Sequence, residues 1–176
     1  FIVNRIFGLE LILHNNAIDS KFFKSRVVYT PYPNLCNVVP SIERHDVLFL
    51  CSLNKDEPLN LIYEVCEDLN SLGYSIKITG NPNKAPNVAF KEHMFKKFQE
   101  YELYLSLIKS SKLCVSLTLR PSTLLYAPRE AISLSVPCLI NDSLVNKDFY
   151  KDVCHYTELT SEDVSKRILM ILENEV

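Results

Sequence analysis

The sequence predicts an α/β domain built on a parallel sheet flanked by helices, and three observations carry that prediction. Short apolar runs alternate with segments of about 10–15 residues whose apolar positions recur at helical spacing, which is the pattern of right-handed βαβ units. The run Asp46–Ser52 (DVLFLCS) is almost continuously apolar, as a strand buried on both faces must be. The chain has 176 residues, 47% hydrophobic and 23% charged. That is enough for one domain whose core removes about 70% of the unfolded chain's surface from water.

The elements follow in chain order. Leu9–His14 reads as a strand and Arg26–Thr30 as another. Pro31, Pro33 and Pro40 then interrupt any ladder and mark a linker. After the Asp46–Ser52 strand, Asp56-Glu57-Pro58 places acidic residues and proline where a helix starts. Leu59, Ile62, Val65, Cys66 and Leu69 share one face of a helix over Pro58–Ser71, which Gly73 is placed to end. Tyr74–Thr79 is the next strand and Gly80-Asn81-Pro82-Asn83 a loop. Tyr101–Ser111 is helical, with Leu103, Leu107 and Ile108 on one side. Leu113–Leu117 is a strand, Leu124–Ser135 a helix with Pro128 near its first turn, and Pro137–Asn141 a strand. A short strand around Val153–Tyr156 packs His155 in the core, and Thr160–Asp163 caps a helix over Val164–Leu172.

Composition excludes several functions. Only 3 of 176 residues are glycine, against a usual share of about 7%. Gly8, Gly73 and Gly80 cannot build a G-x-G-x-x-G or G-x-x-x-x-G-K-[ST] phosphate loop. With 19 basic and 21 acidic residues the net charge is −2, and no basic arm marks a nucleic-acid partner. Phe90, Phe95 and Phe98 lie among lysines, but one local patch on an acidic chain reads as an amphipathic turn. No apolar run reaches the ~18 residues of a membrane span. The start at Phe1 reads as that of a trimmed or partial chain rather than a signal peptide. The six cysteines show no C-x-x-C spacing, so the expectation is reduced thiols, no metal and a cytoplasmic location. His14, His45, His93 and His155 have no metal-ligand spacing, and no G-x-S-x-G elbow occurs.

Ligands of parallel sheets bind beyond the carboxyl ends of the strands. That puts Ser52–Glu57, Gly80–Pro86, Thr118–Ala127 and Asp142–Asn146 on the functional edge. The stretch TLRPSTLLYAPREA, from Thr118 to Ala131, is the richest in chemistry. Its hydroxyls, a following helix N-terminus and Arg120 suit an anion such as a sugar-nucleotide diphosphate. On residue types alone a plainer reading competes: Ser122 or Thr123 caps the helix and Arg120 is solvated. Glu130 could accept two sugar or ribose hydroxyls, one on each oxygen. Its plainer alternative is a surface salt bridge with Arg129 or Lys112. Lys55 could touch phosphate or be merely exposed.

Four segments in order resemble the C-terminal, donor-binding half of GT-B glycosyltransferases, and within these the family-4-like bacterial enzymes of surface-polysaccharide assembly. They are DVLFLCSLNKDEPLNLIYEV, YSIKITGNPNKAPNV, YLSLIKSSKLCVSLTLRPSTLLYAPREAISLSVPCLINDS and SEDVSKRILMILEN, covering roughly Val47–Asn174. The third is the most specific. VVYTPYP (Val27–Pro33) resembles the segment joining the two halves.

The resemblance implies a Rossmann-like sheet forming one half of a GT-B enzyme. Residues 1–40 would end the N-terminal domain and form the linker, and 41–176 would bind a nucleotide-sugar. Glu130 would hold ribose hydroxyls, and Ser122, Thr123, Leu124 and Leu125 would face the diphosphate and sugar, with Thr118 and Arg120 beside them. Ser52, Asn54 and Lys55 would lie near the phosphates, and Thr79, Gly80 and Asn81 near the nucleoside.

The reaction would be sugar transfer from a nucleotide-sugar to a glycan or lipid-linked acceptor, with no metal or other cofactor. The acceptor would bind the N-terminal domain, so this chain alone would transfer nothing. The intact enzyme would have scope for peripheral membrane association. The sequence departs from the family pattern at three points. Ser122 stands where a first glutamate is usual, Ser52 and Glu57 where a basic pair is usual, and Cys51 where glycine is usual. These departures motivate an alternative, a non-catalytic interaction or pseudo-glycosyltransferase domain of the same fold.

Overall fold

The computed structural model describes residues 3–6, 9–12, 35, 37–84, 90, 95–96 and 100–174. β1 (Val3–Ile6) and β2 (Leu9–Ile12) pair antiparallel. The predicted strand at Arg26–Thr30 lies outside the described residues.

The remaining strands form one six-stranded, wholly parallel sheet. They are β3 (His45–Phe49), β4 (Ile76–Thr79), β5 (Phe95–Lys96), β6 (Ser111–Ser116), β7 (Cys138–Asn141) and β8 (His155–Thr157). The helices are α1 (Leu59–Ser71), α2 (Tyr101–Lys109), α3 (Ala127–Ser133), α4 (Leu144–Tyr150) and α5 (Ser161–Asn174).

The spatial order is β5-β4-β3-β6-β7-β8. The chain builds outward from β3 to one edge, returns beside β3 as β6, and builds to the other edge. This is the strand order of doubly wound nucleotide-binding sheets, and it leaves a crevice where the direction reverses. Here the reversal falls between β3 and β6, which pair from His45↔Ser111 to Phe49↔Val115.

Alternation along the strands feeds two cores. Val47 and Phe49 of β3 and Leu113 and Val115 of β6 pack with Ile62, Val65 and Leu69 of α1 and Val164 and Ile168 of α5. Leu48, Leu50 and Cys114 point to the other face, against Leu105 and Ile108 of α2, Ala131 of α3 and Tyr150 of α4. A strand that feeds cores on both sides has no polar face, which is why Asp46–Ser52 reads as a continuous apolar run. Each such side chain contributes about 1.5–3 kcal/mol through burial.

Local signals set the helix ends. Gly73 takes φ +88, its N–H reaches Asn70 O at 3.1 Å, and Tyr74 N–H reaches Leu69 O at 3.1 Å. This pair of bonds is the Schellman closure of α1. At the start of α5, Thr160 Oγ1 accepts the Asp163 N–H at 3.2 Å, a cap of about 1 kcal/mol.

The structure corrects several expectations. Leu103 is 53% exposed, while Leu105, Leu107 and Ile108 form the buried side of α2. Leu103 instead lines a surface groove with Val38 and Val39. His155 is exposed rather than packed, because β8 is the edge strand beyond β7 and this position faces outward. The helix expected from Leu124 begins at Ala127, so Leu124–Tyr126 belong to the loop. Asp142–Asn146 is not all loop: Ser143 Oγ accepts the Asn146 N–H and starts α4. Phe95 and Lys96 form β5 beside β4.

Candidate functional site

The carboxyl end of β3 is clamped by Thr79 at the end of β4. Thr79 Oγ1 accepts the Cys51 N–H at 2.8 Å and donates to Cys51 O at 2.8 Å. Beyond it the backbone turns sharply, with Leu53 at φ +59. Gly80 lies under this turn at φ +118, and a Cβ there would stand 2.9 Å from Leu53 Cγ. Only glycine fits both the conformation and the space.

Glu57 closes the turn from within. Its Oε1 accepts the Ser52 N–H at 2.9 Å and the Ser52 hydroxyl at 2.8 Å. Its Oε2 accepts the Leu53 N–H at 2.7 Å. Three donors thus converge on one carboxylate, and bonds of this charge-assisted kind are the strong ones.

The loop after β6 is tied to the same turn. Leu119 N–H donates to Asp56 O at 2.7 Å, and Thr118 Oγ1 donates to it at 3.2 Å. Arg120 Nε lies 3.3 Å from Asp56 Oδ2. The loop's far side is pinned from below. Asn141 Oδ1 accepts the Thr118 N–H at 3.0 Å, and Asn146 Oδ1 accepts the Leu125 N–H at 3.3 Å. The Tyr150 hydroxyl donates to Leu125 O.

Between these loops, at the β3/β6 reversal, lies a cavity of about 510 Å³. Leu50, Cys51, Ser52, Glu57, Thr79 and Ser116 line its floor side, and Tyr101, Tyr104, Leu125, Tyr126 and Ala127 the rest. Its volume falls in the range of small-molecule sites, roughly 300–1,000 Å³. Among the described residues the wall carries a carboxylate and no Lys, Arg or His.

Glu130 of α3 meets this wall through two tyrosines of α2. The Tyr101 hydroxyl donates to Oε1 at 2.9 Å and the Tyr104 hydroxyl to Oε2 at 3.0 Å. Each carboxylate oxygen has two acceptor sites, so one on each remains for a ligand hydroxyl. Burial, then the Glu130 hydrogen bond and charge, push the Tyr101 phenol up to about 12. Burial and the Glu130 charge push Tyr104 higher still. Both therefore stay protonated donors near neutral pH. Among the described residues the Glu130 carboxylate is met by these two tyrosines rather than by the Arg129 or Lys112 considered from the sequence. Lys112 pairs with Asp46 at 2.8 Å. Arg129 is buried beneath Tyr126, its Cζ 5.2 Å from the ring centroid, and 5.7 Å from that of Phe149.

Burial raises the Cys51 thiol well above its ordinary value, with Glu57 adding to the rise. Cys51 is a buried, apolar element of the cavity wall. Cys66, Cys114, Cys138 and Cys154 are likewise buried and free.

Of the residues singled out from the sequence, Ser52, Thr79 and Leu125 line the cavity. Asn54, Lys55 and Asn81 sit exposed at loop tips. Asn54 Nδ2 donates to Ser52 Oγ at 2.8 Å, and Asn81 Oδ1 accepts the Asn83 N–H at 3.0 Å. Gly80 and Thr118 are buried in the turns beneath, and Leu124 is a core residue. Arg120 is exposed and held by Asp56. Ser122 and Thr123 are half-buried in the loop and cap nothing: the N-cap of α3 is Tyr126, without a side-chain bond. Sequence reading missed the tyrosines Tyr101, Tyr104 and Tyr126 and the bracing pair Asn141 and Asn146. A helix whose first turn carries YELY beside an apolar face was the available signal for Tyr101 and Tyr104.

No protein-family description and no curated protein matches the sequence. Solved structures do match the fold. A glycosyltransferase from Rickettsia africae superposes with TM-score 0.60 at 11% identity, over 76% of this chain and 38% of that one. The Methanocaldococcus jannaschii UDP-GlcNAc 2-epimerase, in complex with UDP-GlcNAc and UDP, matches with TM-score 0.53 at 17% identity, over 77% and 39%. The E. coli heptosyltransferase WaaC with ADP matches with TM-score 0.52 at 15% identity, over 73% and 45%. This chain therefore spans less than half the length of each of these three. The chain has the Rossmann-like fold of one half of a GT-B protein.

Proposed function

We propose that this chain is the donor-binding half of a GT-B glycosyltransferase, with residues 41–176 as the nucleotide-sugar-binding domain. The observation that carries this reading is the position of Glu130. Two tyrosines orient its carboxylate beside a cavity at the β3/β6 reversal, leaving one acceptor site on each oxygen for vicinal hydroxyls. The fold likeness to a glycosyltransferase, a heptosyltransferase and a UDP-GlcNAc 2-epimerase supports the class.

In this reading the bond from the sugar's anomeric carbon to the diphosphate oxygen breaks, and an acceptor hydroxyl forms the new bond. The acceptor is a glycan or lipid-linked saccharide of surface-polysaccharide assembly, held by an N-terminal domain, in the cytoplasm. Glu130 positions the nucleoside, and the loops carrying Ser52–Lys55 and Thr118–Leu125 flank the leaving group. The reading invokes no metal. No helix among the described residues is long and apolar enough to cross a membrane.

A second reading, a non-catalytic domain of the same fold, is favoured by one observation. The Ser52 and Leu53 N–H groups are filled by Glu57 rather than open to a leaving group.

Calorimetric titration with UDP-, GDP- and dTDP-sugars tests the nucleotide reading. Saturable binding of one of them below millimolar concentration is expected. Silence from all three at millimolar concentration would favour the non-catalytic domain.

A further inference from the structure

We propose that Asp56 and Glu57 are a built-in anionic plug: their carboxylates take up the groups that grip the donor's diphosphate, and the diphosphate displaces them on binding. The plug presupposes the nucleotide-sugar reading above and sets how tightly the phosphate end of that site binds.

Consecutive backbone N–H groups around a residue of positive φ form a concave nest that binds anions. The turn after β3 has this shape, with Leu53 at φ +59 and the N–H groups of Ser52 and Leu53 converging, and Ser52 lies on the cavity wall. The Glu57 carboxylate fills the nest, accepting from both N–H groups and from the Ser52 hydroxyl. Two oxygens of a phosphate present the same charged acceptors to these donors. The nest does not depend on its occupant. Leu53 is 1% exposed, its side chain held in the core over Gly80. Thr79 fixes Cys51 through both its N–H and its C=O. The donors therefore keep their direction when the carboxylate leaves.

Asp56 repeats the arrangement toward the loop after β6. Its backbone O accepts the Leu119 N–H and the Thr118 hydroxyl, so the two loops stay tied without the Asp56 side chain. That side chain is a separate grip, with Oδ2 3.3 Å from Arg120 Nε. The Arg120 side chain is 65% exposed, and ion pairs this open to water are weak. The guanidinium can pass to a phosphate, whose oxygens arginine binds in pairs, without untying the loops. Two carboxylates on consecutive residues thus stand on one backbone nest and one guanidinium, as two linked phosphates would. Asp56 and Glu57 are both half-buried, so each displaced carboxylate has solvent to turn into, with the exposed Lys55 in the same turn. Because the plug must open first, the closed fraction lowers the apparent affinity for a diphosphate and leaves that for a nucleoside alone.

The experiment is a titration of this chain with UDP, GDP, ADP and dTDP, each matched with its nucleoside, followed by calorimetry and by the carboxyl 13C signal of Glu57. For the base that binds, the diphosphate is expected to move that signal toward the position of a solvent-exposed glutamate, and the nucleoside to leave it in place. Glu57→Gln weakens the plug, so it is expected to raise diphosphate affinity about tenfold and to leave nucleoside affinity unchanged. Diphosphate binding that leaves the Glu57 signal where it was would overturn the plug and leave the nucleotide reading intact. So would unchanged or lower diphosphate affinity in a Glu57→Gln variant whose circular dichroism is native. If no diphosphate binds at millimolar concentration the plug falls, and if the nucleosides are silent too the nucleotide reading falls with it. The Glu57 signal of the wild type decides the matter even if Glu57→Gln does not fold.

Discussion

Asn146 is wholly buried beneath the loop that follows β6, and its Oδ1 accepts the Leu125 N–H at 3.3 Å. Its Nδ2 reaches Asn141 O at 3.5 Å, and Asn141 Oδ1 in turn holds Thr118 N–H. The two amides make a polar ladder under a loop that has no regular structure of its own. Asn146→Ala leaves buried backbone groups without their partner, at a cost of about 1–3 kcal/mol. Urea denaturation should show that loss. Hydrogen exchange at Leu125 should accelerate by more than the change in global stability explains; an equal change at Leu125 and in β3 would contradict this bracing role.

Gly80 and Gly73 both have positive φ, but they should respond differently to alanine. At Gly73 a Cβ meets nothing within 4 Å, so Gly73→Ala carries only the conformational cost, on the order of 1 kcal/mol. At Gly80 the Cβ would also press on Leu53 Cγ at 2.9 Å and Cys51 O at 3.1 Å. Gly80→Ala should cost several-fold more. Thermal melts of the two variants check the order, and equal shifts would show that the β3 turn yields to relieve the contact.

Tyr101 should ionise at about 12, against an ordinary value of 10.0. The sign follows from the unfolded chain losing this proton first. The stability linked to Tyr101 is complete below about pH 10 and is lost as pH rises through 12. Glu130→Gln removes the charge that contributes to the rise, so phenolate absorbance should then appear at lower pH. No change in the tyrosine titration of Glu130→Gln would mean that the pair is not formed in solution.

Two carboxylates have pKa values held below their ordinary 3.8. Asp163 accepts the Glu158 N–H at 2.9 Å and the Thr157 hydroxyl at 2.9 Å, with Arg167 nearby. For Asp46, burial works upward but is outweighed by bonds from Lys112 and the Ser75 N–H. Their stabilisation is complete above the unfolded pKa and disappears as pH falls through the lowered folded values. Denaturation midpoints between pH 2 and 6 should therefore fall on acidification, and Asp163→Asn should flatten that fall.

The fold was legible because its main signals are local. Continuous apolar character fixed β3 as a central strand, and Pro58 and Gly73 bracketed α1 to within a residue or two. α4 escaped notice because it has only 7 residues and carries Lys147 and Asp148 in its middle. The helix expected at Leu124 starts later because Leu124 is taken by the core and Leu125 by Asn146 and Tyr150.

The candidate site was half legible for a related reason. Glu130 and the turns at Ser52 and Thr79 carry a recognisable order along the chain. Tyr101 and Tyr104 lie 29 and 26 residues before Glu130, and only the packing of α2 against α3 brings them together. Glu57 has no periodic signature at all. Its role depends on the positive φ at Leu53, which residue types alone do not announce.

The most direct test of the account is the affinity of Glu130→Ala for whichever UDP-, GDP- or dTDP-sugar the wild type binds, measured by calorimetry. If Glu130 receives the ribose hydroxyls, the variant should bind at least tenfold more weakly while retaining its native circular dichroism. Unchanged affinity in a folded variant would make Glu130 a partner of Tyr101 and Tyr104 alone and contradict the account.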